Sequence, residues 1–188
     1  YDQLQKGQVL VWMRDQEIEK EILEKGWGGG LGSYGGDYLY IVESNLGANK
    51  ANCCVTRSVV QSVDGDKERV IIKWENSSQF ENPKPPVFCG GDYINYTRVV
   101  IPAAAEIKDP EKYDIEIRGR FKIVGFWVTV PAGGSAVAEL NYESGIMNYG
   151  ILVRRQPGID GFAYKLMVEG KVVVSDTIDR DKEYTWTK

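Results

Sequence analysis

The chain has 188 residues, 43% of them hydrophobic and 27% charged, with a formal net charge of −4 and no histidine. That length suits one domain that buries its core without staples, and scattered Lys and Arg in an acidic chain argue against nucleic acid, which calls for a clustered basic face. The absence of histidine removes the usual general base, the commonest transition-metal ligand and the physiological pH switch together.

From the N-terminus, residues 8–13 read as a short apolar strand. Asp15 is placed to cap a helix running to about Lys25, with Glu17, Glu19 and Glu21 in its first half and Gly26 just past its end. Ile18, Ile22 and Leu23 give that helix one narrow apolar face. A glycine-rich connector over 26–36 leads into a strand over 38–43. Asn45, Gly47, Asn49 and Lys50 follow as a polar turn, in which the asparagines bond their own backbone and Gly47 takes positive φ.

A hairpin comes next: strands over 55–63 and 69–75 joined at Asp64-Gly65-Asp66. The loop over 76–92 holds Pro83, Pro85, Pro86 and Gly90-Gly91 and is long enough to be exposed. Further strands are expected over 93–101, 113–118, 121–130, 136–142, 149–155, 162–169 and 171–175, with turns at 131–134, 157–158 and 169–170. Short strands with regular turns predict a mainly β fold, an Ig-like antiparallel β-sandwich with one short N-terminal helix. Residues 1–36 are expected to pack on a sandwich domain over 37–188.

Several features invite a functional reading. Cys53 and Cys54 are adjacent on an expected strand, with Cys53 sharing the core-facing parity of Val55, Val59 and Val63. Either can form a disulfide with Cys89; the alternative is three free thiols. The stretch from Gly30 to Gly35 matches G-x-G-x-x-G, but a dinucleotide loop follows a strand and opens a helix, and here the order is reversed. No cofactor and no metal is therefore expected. Asp176, Asp179, Asp181 and Glu183 form an acidic turn without a calcium-loop pattern. Tyr38, Tyr40, Tyr93, Tyr96, Trp74 and Trp127 recur at strand spacing, which favours sheet packing over a sugar platform. No carboxylate pair stands out by spacing as a glycosidase pair. Asn76-Ser-Ser78 and Asn95-Tyr-Thr97 fit the glycosylation pattern by chance.

Four segments together resemble the C-terminal part of a bacterial cell-envelope family, domain-of-unknown-function family 4012. Asn45-Leu-Gly-Ala-Asn-Lys50 is similar to its N-L-G-G-N-K signature, and Tyr93-Ile-Asn-Tyr-Thr-Arg-Val-Val-Ile-Pro102 to a Y-R-x-Y-x-R-V-x-V-P strand. Residues 125–135 resemble an F-x-V-P-x-G-x-S turn, and 149–158 an L-x-x-Q-P-G segment. Ala48 stands where the family pattern has Gly, Ile94 where it has Arg, and Cys53-Cys54 where an aromatic is usual.

The resemblance implies a membrane-anchored protein whose upstream part is reminiscent of the LytR-CpsA-Psr envelope transferases. The chain begins at Tyr1 and is expected to be an excised C-terminal piece, extracytoplasmic at the bacterial cell surface, its anchor upstream. No stretch nears the ~20 apolar residues of a membrane helix or reads as a signal peptide, so direct insertion by this segment is not expected. The function expected is non-catalytic: binding, spacing or assembly, with an envelope protein or a cell-wall polymer as partner. The alternative is an accessory domain shaping the substrate groove of an upstream glycopolymer transferase. Asn45, Asn49, Lys50, Tyr96 and Arg98 are the candidate ligand-binding residues.

Overall fold

The structure, a computed structural model, describes residues 2–5, 7–31, 34–79, 90–145 and 149–187. After a four-residue helical turn α1 (Asp2–Gln5) comes α2 (Gln16–Glu24). In chain order the strands are β1 (Asp37–Asn45), β2 (Val55–Asp64), β3 (Lys67–Asn76), β4 (Tyr93–Pro102), β5 (Glu106–Ile107) and β6 (Asp114–Arg118). Then follow β7 (Phe121–Val130), β8 (Ser135–Glu143), β9 (Gly150–Arg154), β10 (Phe162–Val168), β11 (Lys171–Ile178) and β12 (Lys182–Thr185).

These strands form two six-stranded sheets, ordered β12-β9-β1-β4-β7-β6 and β11-β10-β2-β3-β8-β5. The two orders match position by position: β1 lies where β2 lies in the other sheet, β4 where β3 lies, β7 where β8 lies. Each such pair is consecutive in the chain. The molecule is thus one ribbon of six crossing segments creased over on itself. Of the eight connections between the sheets, six fall at one end, the crease end: residues 46–54, 108–113, 131–134, 155–161 and 179–181, and the connection from β3 to β4; those from β4 to β5 and from β8 to β9 lie at the other end. The β2–β3, β6–β7 and β10–β11 hairpins lie at the other end.

The mainly β sandwich expected from sequence is what the chain forms, but its sheets are mixed. β9 runs parallel to β1, and β10 parallel to β2. The cause is chain path: the β9–β10 segment enters from the hairpin end, as β1 does, so it lies alongside β1–β2 in the same direction.

Inward positions follow the two-residue period. Along β3, Glu68, Val70, Ile72, Trp74 and Asn76 are buried while Lys67, Arg69, Lys73 and Glu75 face out. Leu39, Ile41, Val59, Leu140, Ile151 and Leu166 complete the core from neighbouring strands. Gly65 opens the β2–β3 turn at φ 65, and Glu169-Gly170 take φ 48 and 75, the double-positive pattern of a tight hairpin.

In α2, Asp15 accepts from the Glu17 and Ile18 amides, and Gly26 at φ 69 closes the helix while the Trp27 amide donates to the Ile22 carbonyl. Of its expected apolar face only Ile22 is buried; Ile18 and Leu23 are nearly half exposed. Residues 8–13 form no strand. They lack a strand neighbour, and their Val11 amide bonds the Trp27 carbonyl instead. The connector meets the sandwich where Arg154 Nη1 donates to the Gly30 carbonyl at 2.9 Å.

Candidate functional site

The crease end is where sequence-distant polar segments converge. Asn45 Oδ1 accepts the Gly47 amide, and its Nδ2 donates to Oδ1 of Asn49 and of Asn52 at 3.0 and 2.7 Å. Asn49 Nδ2 donates in turn to the Asp92 carbonyl at 2.7 Å. Asn45 and Asn49 therefore latch this corner to the start of β4 as turn chemistry predicts. The left-handed residue, however, is Ala48 at φ 53 and not Gly47. Gly would adopt that backbone without the cost an alanine carries there. Lys50 is exposed, and its carbonyl accepts from Cys53 Sγ at 3.1 Å.

Two more corners are tied in. Gln156 Oε1 accepts the Glu43 amide at 2.7 Å while its Nε2 donates to the Glu43 carbonyl at 2.9 Å, so one side chain substitutes for a strand partner. Asn76 Nδ2 donates to the Gly91 and Val130 carbonyls, its amide donates to the Gly134 carbonyl, and Asp92 Oδ1 accepts the Ala132 amide. Buried amides paired on all sides make rigid fastenings.

Beneath these latches lies a buried charged cluster that sequence reading did not single out. Glu43 Oε1 accepts from Arg57 Nη1 at 2.6 Å and from Trp74 Nε1 at 2.8 Å, and Oε2 accepts from the Tyr93 hydroxyl at 2.8 Å. The Arg57 and Glu43 side chains are 5% and 8% exposed. Burial, then the Glu43 carboxylate, push the Tyr93 hydroxyl well above its ordinary value, so it remains a donor. The guanidinium lies over the Phe162 ring at 4.2 Å. Arg57 Nε and Nη2, which share one edge of the guanidinium, are buried and meet no acceptor among the described residues. Leaving a buried donor unmet costs about 1–3 kcal/mol, more when the group is charged. A cavity of about 380 Å³ adjoins the cluster, lined by Glu43, Arg57, Tyr93, Asp160, Gly161 and Phe162 among others.

The cysteines do not sit as expected. Residues 51–54 form a 3-10 turn instead of the start of β2, so Cys53 is exposed and Cys54 half-buried. Their Sγ atoms are 3.1 Å apart. Cys89, the partner expected for a disulfide, lies outside the described residues, as do the three prolines of its loop.

Tyr96 and Arg98 are not part of the crease-end cluster. They stand on the outer face of the first sheet, with Tyr96 donating to Asp114 Oδ2 at 2.8 Å and Arg98 4.9 Å above the Tyr96 ring. Tyr96 lies flat because Gly125 faces it, where any Cβ would meet its hydroxyl at 2.2 Å. Trp127 packs edge-on to Tyr96 and is 62% exposed, whereas Trp74, Tyr38 and Tyr93 belong to the interior.

A second polar cluster lies at the hairpin end. Gln61 Nε2 donates to Glu68 Oε2 at 2.6 Å and to Asp37 Oδ2 at 3.3 Å; the Tyr142 hydroxyl donates to Glu68 and that of Tyr164 to Gln61 Oε1. Gln61 Nε2 thus bridges the two carboxyls. Burial, then the Asp37 charge, push Glu68 up to about 8, so the pair holds one proton at neutral pH. Both carboxyls are buried and share the Gln61 Nε2 donor, so no glycosidic bond fits between them as it does between a glycosidase pair. The larger groove nearby, about 870 Å³, is walled mostly by exposed charged side chains such as Arg69 and Glu139, which pair with each other.

The acidic turn is ion-paired: Lys182 bridges Asp176 and Asp179, and Arg154 meets Asp181. Among the described residues no group of three His, Cys, Asp or Glu could hold a metal ion. Asn76 and Asn95 are buried, which closes both glycosylation patterns to modification in the folded chain. No helix among the described residues is long and apolar enough to cross a membrane. No protein-family model matches the chain, and neither a curated protein nor a solved structure does.

Proposed function

We propose that this chain is a non-catalytic binding domain of a bacterial cell-envelope protein, working outside the cytoplasm with its crease end as the contact surface. The envelope setting rests on the four segments that resemble family 4012. Corner residues from three of them, at 45–50, 131–134 and 156–158, lie at that end. The observation that carries the binding role is the Arg57 edge, two buried donors without an acceptor among the described residues, beside a cavity. A spacer needs no such feature, and a polar group left unmet in a rigid frame is a site poised for a partner. A cell-wall polymer is the partner favoured, with an anchor upstream of this segment.

Co-sedimentation of the purified domain with bacterial wall material, intact or stripped of its attached polymers, tests this. Saturable binding that disappears on stripping is expected. An unbound domain in both preparations would contradict the polymer-binding role and leave a spacer.

A further inference from the structure

We propose that the cavity beside Arg57 is a cleft for a neutral sugar or polyol that offers two adjacent hydroxyl oxygens to the Nε–Nη2 edge. This deepens the binding role proposed above and rests on it. The edge presents two near-parallel N–H donors, a fork that pairs with two oxygens held side by side.

Charge then selects among such oxygens. Glu43 already neutralises Arg57, and Asp160 also lines the cavity, so the lining carries two carboxylates against one guanidinium. A carboxylate or phosphate on the second edge would share that guanidinium with Glu43 away from water, where like charges repel strongly. A vicinal diol supplies the same two acceptors with no charge, and its hydroxyl protons can turn toward a carboxylate. Val55, Ile159 and Phe162 add apolar wall for the C–H face of a ring. The volume of about 380 Å³ falls in the range of small-ligand clefts. Because the edge is closed to solvent, a sugar reaches it only by displacing part of the cavity lining, in which Gly158, Asp160 and Gly161 are exposed.

The test follows the Arg57 Nε–H signal by NMR in the purified domain. Glucose, galactose, mannose and N-acetylglucosamine are added in turn, with acetate and inorganic phosphate as anion arms. The expected result is a saturable shift with at least one sugar and none with either anion. Arg57→Lys keeps a cation for Glu43 but lacks the paired edge, and binds that sugar about ten-fold more weakly or worse. Should the lysine variant fail to fold, the wild-type titrations still decide. A shift with acetate or phosphate alone overturns the sugar assignment. Silence toward every probe, in a domain that still sediments with polymer-bearing walls, overturns the cleft and leaves the binding role standing; loss of both removes the binding role itself.

Discussion

The two polar clusters buried between the sheets lie at opposite ends of the sandwich and are balanced in opposite ways. At the crease end a single carboxylate faces a guanidinium, an indole and a phenol, and donors are left over. At the hairpin end two carboxyls face an amide and a phenol, and the shortage of donors is met by the proton that Glu68 keeps at neutral pH. Both clusters join β1 of one sheet to β2 and β3 of the other. The difference separates architecture from recognition: a cluster that completes its own hydrogen bonds fastens the sheets, whereas one with donors to spare beside a cavity can take a guest.

The sharpest way to break this comparison is to remove one carboxylate from each end. Glu43→Ala strands a buried guanidinium, an indole N–H and a phenol, and urea unfolding should show a loss of about 3–5 kcal/mol. Glu68→Gln, which keeps an acceptor for Gln61 and Tyr142, should cost less than about 1 kcal/mol at pH 7. Equal losses would mean that the two ends are not balanced differently.

Titration sharpens the same contrast. Glu68 is raised from an ordinary 4.5 to about 8 in the folded protein. Its contribution to stability is therefore fully present below about pH 4.5 and is lost as pH rises through 8, because the folded state holds a proton that the unfolded chain gives up. With no histidine in the chain, few ordinary groups titrate in that window. Melting measured from pH 5 to 8 should show stability falling by up to ~1.4 kcal/mol per pH unit, and Glu68→Gln should flatten the slope. A slope that persists in the variant would place the proton elsewhere.

Smaller effects probe the crease-end frame. Asn49→Ala leaves the Ala51 amide and the Asp92 carbonyl without their partner and should cost about 1–2 kcal/mol by thermal unfolding. Ala48→Gly relieves a left-handed alanine and should add about 0.5–1 kcal/mol. Lower stability on adding that glycine would show that the corner is built differently.

Much of the fold was legible because β3, β7 and the Gly65 turn obey local rules: strict alternation, β-branched content and a positive-φ glycine. The pairing of β1 with β9 and β2 with β10 was not, since parallel neighbours leave no turn signal. β12 was missed because four residues among charges show too little alternation to read. The crease-end site had a signal that went unused. Arg57 and Gln61 share the inward parity of Val59 and Val63, Glu43 that of Leu39 and Ile41, and Glu68 and Asn76 that of Val70 and Trp74. Charged or amide side chains at core-facing positions need buried partners, and that requirement marks both clusters. Which partners they find depends on how the ribbon creases, which no local window contains.

The most direct test of the division between the two ends is co-sedimentation of three proteins with polymer-bearing walls: the wild-type domain, Arg57→Lys and Glu68→Gln, each verified as folded. The account predicts that Arg57→Lys loses saturable binding while Glu68→Gln sediments as the wild type does. Retention by Arg57→Lys, or equal loss in both variants, would contradict it.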